Sequence, residues 1–158
     1  MTTETLRGSQ SGKNLKIGIV TALFNREVTE KLENGALEAL HKAGVKPENI
    51  LAVHVPGAFE IPLLAQSLLH KVDGVIALGA VIRGETSHYD YVCQAVERGC
   101  SQVALEFKKP VGFGVLTTEN EDQAMARTDG RHGNKGAETA LAVLELCNLL
   151  QDLKKFSY

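Results

Sequence analysis

Four short apolar runs mark the chain: Leu15–Val20 (LKIGIV), Ile50–Val55 (ILAVHV), Gly74–Val81 (GVIALGAV) and Pro110–Leu116 (PVGFGVL). Each is rich in Val, Ile and Leu and leads into turn-forming or polar residues. Such runs predict strands buried on both faces of a sheet. Helical spacing fills the gaps. Val28, Leu32, Ala36, Ala39 and Ala43 form one stripe, with Gly44 placed as a C-terminal cap. Pro62 suits the first turn of a helix through His70, and Val92, Val96, Gly99 and Val103 form a further stripe. Asn120 with Gln123 resembles a capping box for a short helix ending near Arg127. Asn134 caps a last helix carrying Ala137, Ala140, Leu141, Leu144 and Cys147. The order is β-α-β-α-β-α-β-α-α. It predicts an α/β fold: a three-layer α/β/α sandwich around a central four-stranded parallel sheet with right-handed crossovers.

At 158 residues, 44% apolar and 23% charged, the chain reads as a single globular domain, residues 15–158, behind a polar segment, residues 1–14. That segment has no obvious place on an isolated chain, which points to a neighbouring subunit. It also lacks an apolar signal core, and no run reaches the roughly 18 apolar residues of a membrane helix, so a cytoplasmic protein is expected. Lys and Arg total 17 against 19 Asp and Glu, a net charge of −2, which disfavours a nucleic-acid surface. Three cysteines, Cys93, Cys100 and Cys147, fall in predicted helices as reduced, buried residues. No metal-ligand spacing, P-loop, GxGxxG or GxSxG motif occurs.

Ligands of parallel sheets bind beyond the carboxyl ends of the strands. The unusual residues collect there: Phe24-Asn25, Pro56–Glu60, Ile82–His88, and Phe113 with Thr117–Asn120. In Arg83–His88, Gly, Thr and Ser at a helix start expose free backbone N–H groups. Both a plain N-cap and an anion site fit them. Glu85 and Asp90 would oppose an anion unless they point away. Arg127 and Lys135 are either its cationic partners or solvated surface charge. His88 is either a proton-transfer group or a surface histidine. Phe24 and Phe113 either stack on a planar heterocycle or pack at the core edge. Glu60 either binds a polyol or ring N–H, or complements a helix N-terminus.

These segments resemble the 6,7-dimethyl-8-ribityllumazine synthase family of riboflavin biosynthesis. The resemblance rests on Phe24-Asn25, VPGAFEIP (Val55–Pro62), LGAVIRGETSHYDYV (Leu78–Val92), FGVLTTEN (Phe113–Asn120) and HGNKG with the following acid (His132–Glu138), in order over Leu15 to Leu153. It implies a flavodoxin-like fold. It also implies a transferase that joins 5-amino-6-(D-ribitylamino)uracil to 3,4-dihydroxy-2-butanone 4-phosphate, releasing phosphate and water, with no organic cofactor or metal. By the same resemblance, Phe24 stacks on the pyrimidine. Ala58, Phe59 and Glu60 hold the ribityl chain and ring edge. Ala80, Val81, Ile82 and Phe113 contact the same substrate. Glu85 and Thr86 form the phosphate loop, Arg127 and Lys135 serve the phosphate, and His88 moves the proton. Glu85 departs from the smaller residue of many relatives, which puts its side-chain role in doubt but not its backbone role.

The resemblance further implies a homo-pentamer in which Phe113, Arg127 and Lys135 complete a neighbour's site. The N-terminal segment then adds a strand to a neighbouring sheet. A 60-subunit icosahedral shell follows from the absence of an insertion in Arg127–Gly136, with riboflavin synthase as an enclosed partner. The rival readings are a non-catalytic flavin- or lumazine-binding shell protein and an archaeal-type riboflavin synthase. The first needs no proton shuttle, and the second has no phosphate to bind.

Overall fold

The computed structural model describes residues 2–156. Four parallel strands, β1 (Ile17–Ala22), β2 (Ile50–Val55), β3 (Gly74–Ile82) and β4 (Val111–Thr118), lie in the order β2-β1-β3-β4. The helices are α1 (Arg26–Ala43), α2 (Ile61–Leu68), α3 (His88–Phe107), α4 (Glu121–Met125) and α5 (Lys135–Lys155). The chain steps outward from β1 to β2, then reverses across β1 to β3 and β4. Right-handed crossovers therefore place α1 on one face and α2 and α3 on the other. The packing agrees, since α1 lies against α5 and α2 against α3. The predicted α/β/α sandwich is thus present. No described helix is long and apolar enough to cross a membrane.

Side chains of β1 alternate between two cores. Ile17 and Ile19 join Leu32, Leu40 and Leu144 on the α1/α5 side, while Val20 and Ala22 join Ile61, Leu69 and Val96 on the α2/α3 side. Caps set several helix ends as expected. Gly44 closes α1 at φ 98°, and the side chains of Asn120 and Asn134 accept from the N–H groups of Gln123 and Ala137. Cys100 and Cys147 are buried free thiols pushed up to about 12 by burial, whereas Cys93 is only half-buried.

Three expectations need correction. Strand β1 runs two residues later than its apolar run, through Thr21 and Ala22. A buried threonine leaves no trace in a hydrophobic pattern, and Lys16 before the strand is tied to Asp73 instead, N to Oδ2 at 2.9 Å. Strands β2 and β4 are the sheet edges, not strands buried on both faces: Leu51, His54, Phe113 and Thr117 are exposed. Nor is the N-terminal segment without a place on its own chain. Arg7 Nε donates to Glu145 at 3.1 Å, and Asn148 Nδ2 donates to the carbonyls of Ser9 and Ser11 at 2.7 and 2.8 Å. Residues 7–12 thereby lie along α5 without forming a strand.

Candidate active site

The order in which the chain adds strands reverses between β1 and β3, and this is where a doubly wound fold opens a crevice. A cleft of about 770 Å³ lies there. Phe24 enters it from the end of β1, Pro56–Glu60 from the end of β2, Ala80–Ile82 from β3, and Gly84, Thr86, His88, Tyr89 and Val92 from the loop and first turns of α3. The sequence builds each wall locally. Leu23 N and Phe24 N donate to Val55 O and Pro56 O at 2.8 and 3.0 Å, which extends the β1–β2 ladder and brings Phe24 beside the β2 exit. Asn25 adopts φ 62° and its Nδ2 donates to Ala80 O at 2.8 Å, lacing the β1 exit to β3. Phe24 is 71% exposed and Phe59 63% exposed. Two aromatic rings left open at a cleft suit a planar ligand.

Glu60 spans both readings made of it. One carboxylate oxygen accepts from Gly57 N at 2.9 Å, and the other has no protein partner among the described residues. The loop before α3 is the polar end of the cleft. Among the described residues, the backbone N–H groups of Gly84, Glu85, Thr86 and Ser87 donate to no protein acceptor, and Ser87 makes no side-chain cap. Thr86 Oγ1 only accepts from His88 N at 3.3 Å. Free donors at a helix start suit an anion. His88 stands exposed at the first position of α3, its ring free of protein partners among the described residues.

The charge around this loop is organised by Arg83. Its Nε donates to Glu119 Oε2 at 2.7 Å, its Nη2 reaches Asp90 Oδ1 at 3.4 Å, and its guanidinium lies 4.3 Å over the Tyr89 ring. The Glu119 carboxylate raises the guanidinium's already high pKa. Asp90, which would oppose an anion, is thus paired with Arg83. Burial pushes the Tyr89 phenol up.

The sequence profile of the 6,7-dimethyl-8-ribityllumazine synthase family matches residues 14–151. The chain belongs to this family. A Bdellovibrio bacteriovorus 6,7-dimethyl-8-ribityllumazine synthase is 54% identical over 88% of this chain and 77% of the relative. Namesakes from Pediococcus pentosaceus and Coxiella burnetii are 51% and 52% identical, over 94% and 89% of this chain and 96% and 95% of theirs.

Within this lumazine synthase fold, Phe24, Ala58, Phe59, Glu60, Ala80, Val81, Ile82, Thr86 and His88 line one cleft. Glu85, Phe113, Arg127 and Lys135 do not line it. Phe113 sits in mid-strand, paired with Ala77 and not at the carboxyl end. It projects exposed from the β4 edge because no strand follows there. Arg127 lies past α4, its Nη1 donating to Gln123 O at 2.7 Å, and its carbonyl accepts from Lys135 N at 2.9 Å. That backbone bond joins the two positions, and neither residue lines this chain's own cleft. Tyr89 and Val92 were missed as cleft residues. Their signal was helical: positions 88, 89 and 92 share the face of α3 that turns to the cleft.

Proposed function

We propose that this chain catalyses the condensation of 5-amino-6-(D-ribitylamino)uracil with 3,4-dihydroxy-2-butanone 4-phosphate to give 6,7-dimethyl-8-ribityllumazine. The observation that carries the reading is the juxtaposition of unpaired N–H groups at Gly84–Ser87, His88 beside them, and exposed Phe24 and Phe59 in one cleft. Each demanding step has a group. The amine attacks the ketone and expels water as an imine forms; His88 takes and returns protons there. Phosphate then leaves by elimination, its charge met by the loop N–H groups. Phe24 holds the pyrimidine flat, and the free oxygen of Glu60 takes ribityl hydroxyls. Ring closure follows from the proximity this imposes: the ribitylamino nitrogen adds to the remaining carbonyl carbon and a second water leaves. A non-catalytic binder of the same shape would have no use for a histidine at the anion site.

The site is completed by a second copy, in our reading. Phe113 and Lys135 are exposed, Arg127 is half-buried, and none of them lines this chain's own cleft; they would serve an adjacent subunit's phosphate and heterocycle. A closed ring is the economical way to pair every donor with an acceptor. We propose a homo-pentamer, with five-fold units assembling into a 60-subunit shell and riboflavin synthase as the partner that consumes the product. The free buried thiols of Cys100 and Cys147 support action in the reducing cytoplasm. The test is direct. Purified protein is mixed with both substrates and lumazine formation is followed by absorbance above the uncatalysed rate. Turnover dependent on both substrates is expected. Binding of the ribityl-pyrimidine without turnover would instead leave a shell or storage protein.

A further inference from the structure

We infer that Arg83 is a positioning residue for the anion loop, setting affinity for the phosphate-bearing substrate through Asp90, Tyr89 and Glu119 without touching it. The inference rests on the function proposed above and adds a residue to it. Residues Gly84–Ser87 have little to hold them. Their N–H groups are unpaired among the described residues, and all four residues are exposed. What fixes the loop is its two ends, and Arg83 grips both. At the entry, Arg83 N donates to Thr118 O at 2.9 Å and Nε to Glu119 Oε2 at 2.7 Å. At the exit, Nη2 reaches Asp90 Oδ1 at 3.4 Å and the guanidinium covers the Tyr89 ring at 4.3 Å. Glu119 is itself held, since its N–H donates to Gln123 Oε1 at 2.8 Å. The guanidinium thus spans the loop from its first residue to the first turn of α3.

Two consequences follow for an anion. The four N–H groups are aimed by a frame that needs no ligand to form, and preorganised donors hold charge better than mobile ones. In addition, Asp90 stands in the first turn of α3, where its charge would oppose an anion, and Arg83 meets that charge. Arg83 itself is engaged by two carboxylates and an aromatic face. It is therefore spoken for before substrate arrives. A fork with several donors and a stacking plane is needed for this, which lysine does not provide.

The experiment uses the full-length protein and measures KM for each substrate separately, with kcat and inhibition by inorganic phosphate. Arg83→Met keeps the aliphatic stem and loses the fork. The expected result is a rise in KM for the phosphate substrate of roughly ten- to a hundredfold, as for misaligned binding groups, with a parallel loss of phosphate inhibition. KM for the ribitylaminouracil stays within about twofold, because its cleft walls are untouched. Arg83→Lys recovers part of the loss. Exposed ion pairs contribute little to folding, so the thermal midpoint moves little. If Arg83→Met does not fold, Glu119→Gln carries the same test with a smaller rise. Unchanged KM for the phosphate substrate in a folded variant overturns the inference, as does an equal rise for both substrates, which marks a merely structural role. Absence of turnover in the unaltered protein would sink the functional reading instead, and the phosphate-binding comparison would still decide the role of Arg83.

Discussion

At the scale of single residues, the side chains that shape the cleft are joined by contacts that no short motif announces. Asn25 shows how far a motif residue can differ from a ligand. It holds φ 62° and donates to Ala80 O, so its work is to fasten two strand exits. Asn25→Ala loses the bond and strains the left-handed backbone, at an expected cost of about 2 kcal/mol, while Asn25→Gly loses only the bond and costs about 1 kcal/mol. Denaturant midpoints of the two variants separate these contributions; equal losses would show that the backbone conformation carries no strain. Glu33 is a second case. It is 8% exposed, with His54 Nε2 2.8 Å from Oε2 and Arg26 Nη2 3.4 Å from Oε1. Burial pushes its carboxyl up, but the neighbouring Thr21 hydroxyl, the His54 hydrogen bond and the charges of His54 and Arg26 together outweigh this and hold it below its ordinary value. A carboxyl lowered in the folded state stabilises above its unfolded pKa, and that contribution is lost as pH falls through the folded value. Glu33→Gln is therefore expected to cost about 1–2 kcal/mol at pH 7 and little once pH is below the folded value. Chemical denaturation at several pH values checks it, and a gap that persists in acid would refute the charge account. Phe24, Glu60 and His88 were legible because each follows a strand. The Glu33–His54 pair was not, because partners 21 residues apart carry no spacing signal.

At the scale of elements, capping chemistry was the most readable feature and apolar length the least. Asn120, Asn134 and Gly44 mark their helix ends because cap positions demand particular side chains or a positive φ. The end of strand β1 lies two residues past its apolar run because a buried threonine, Thr21, interrupts the run before Ala22. The packing of α5 on α1 depends on something a pattern of apolar positions does not reveal, the absence of a side chain. A Cβ on Gly136 would lie 2.0 Å from the Leu32 carbonyl oxygen, and one on Gly35 would meet the Asn134 side chain at 2.3 Å. Asn134 also donates to Lys31 O at 3.1 Å, so the start of α5 is seated directly on α1. Gly136→Ala is expected to destabilise by about 3 kcal/mol or more, because the obstacle is backbone and cannot turn aside. At Gly84 a Cβ would meet nothing within 4 Å. Gly84→Ala is thus the matched control, with a near-unchanged thermal midpoint. Equal stability of the two variants would mean that the helices can slide apart freely.

At the scale of the whole molecule, alternation of strands and helices predicted the sandwich. The handedness of the crossovers then explains why the cleft opens between β1 and β3. Apolar runs did not distinguish edge from centre, so they gave no sign that Phe113 stands exposed in an edge strand. That exposure has a functional side. Nine predicted residues share one cleft, while Glu85, Phe113, Arg127 and Lys135 do not line it. On the proposed shared site, the loop with His88 comes from one subunit and Arg127 from the next. Arg127→Ala is then expected to raise KM for the phosphate substrate, and His88→Ala to lower kcat, by up to about 10²–10⁴-fold for lost proton transfer. The two variants, unfolded and refolded together in equal amounts, should regain activity that neither has alone. Random assortment around a closed ring leaves about a quarter of the interfaces with both native residues, so about a quarter of the native rate is expected at limiting phosphate substrate. The same variants refolded separately and then mixed, without subunit exchange, should show no gain. If co-refolding restores nothing while hybrid oligomers are shown to form, Arg127 serves its own chain, and the loop that carries it must move to reach the cleft.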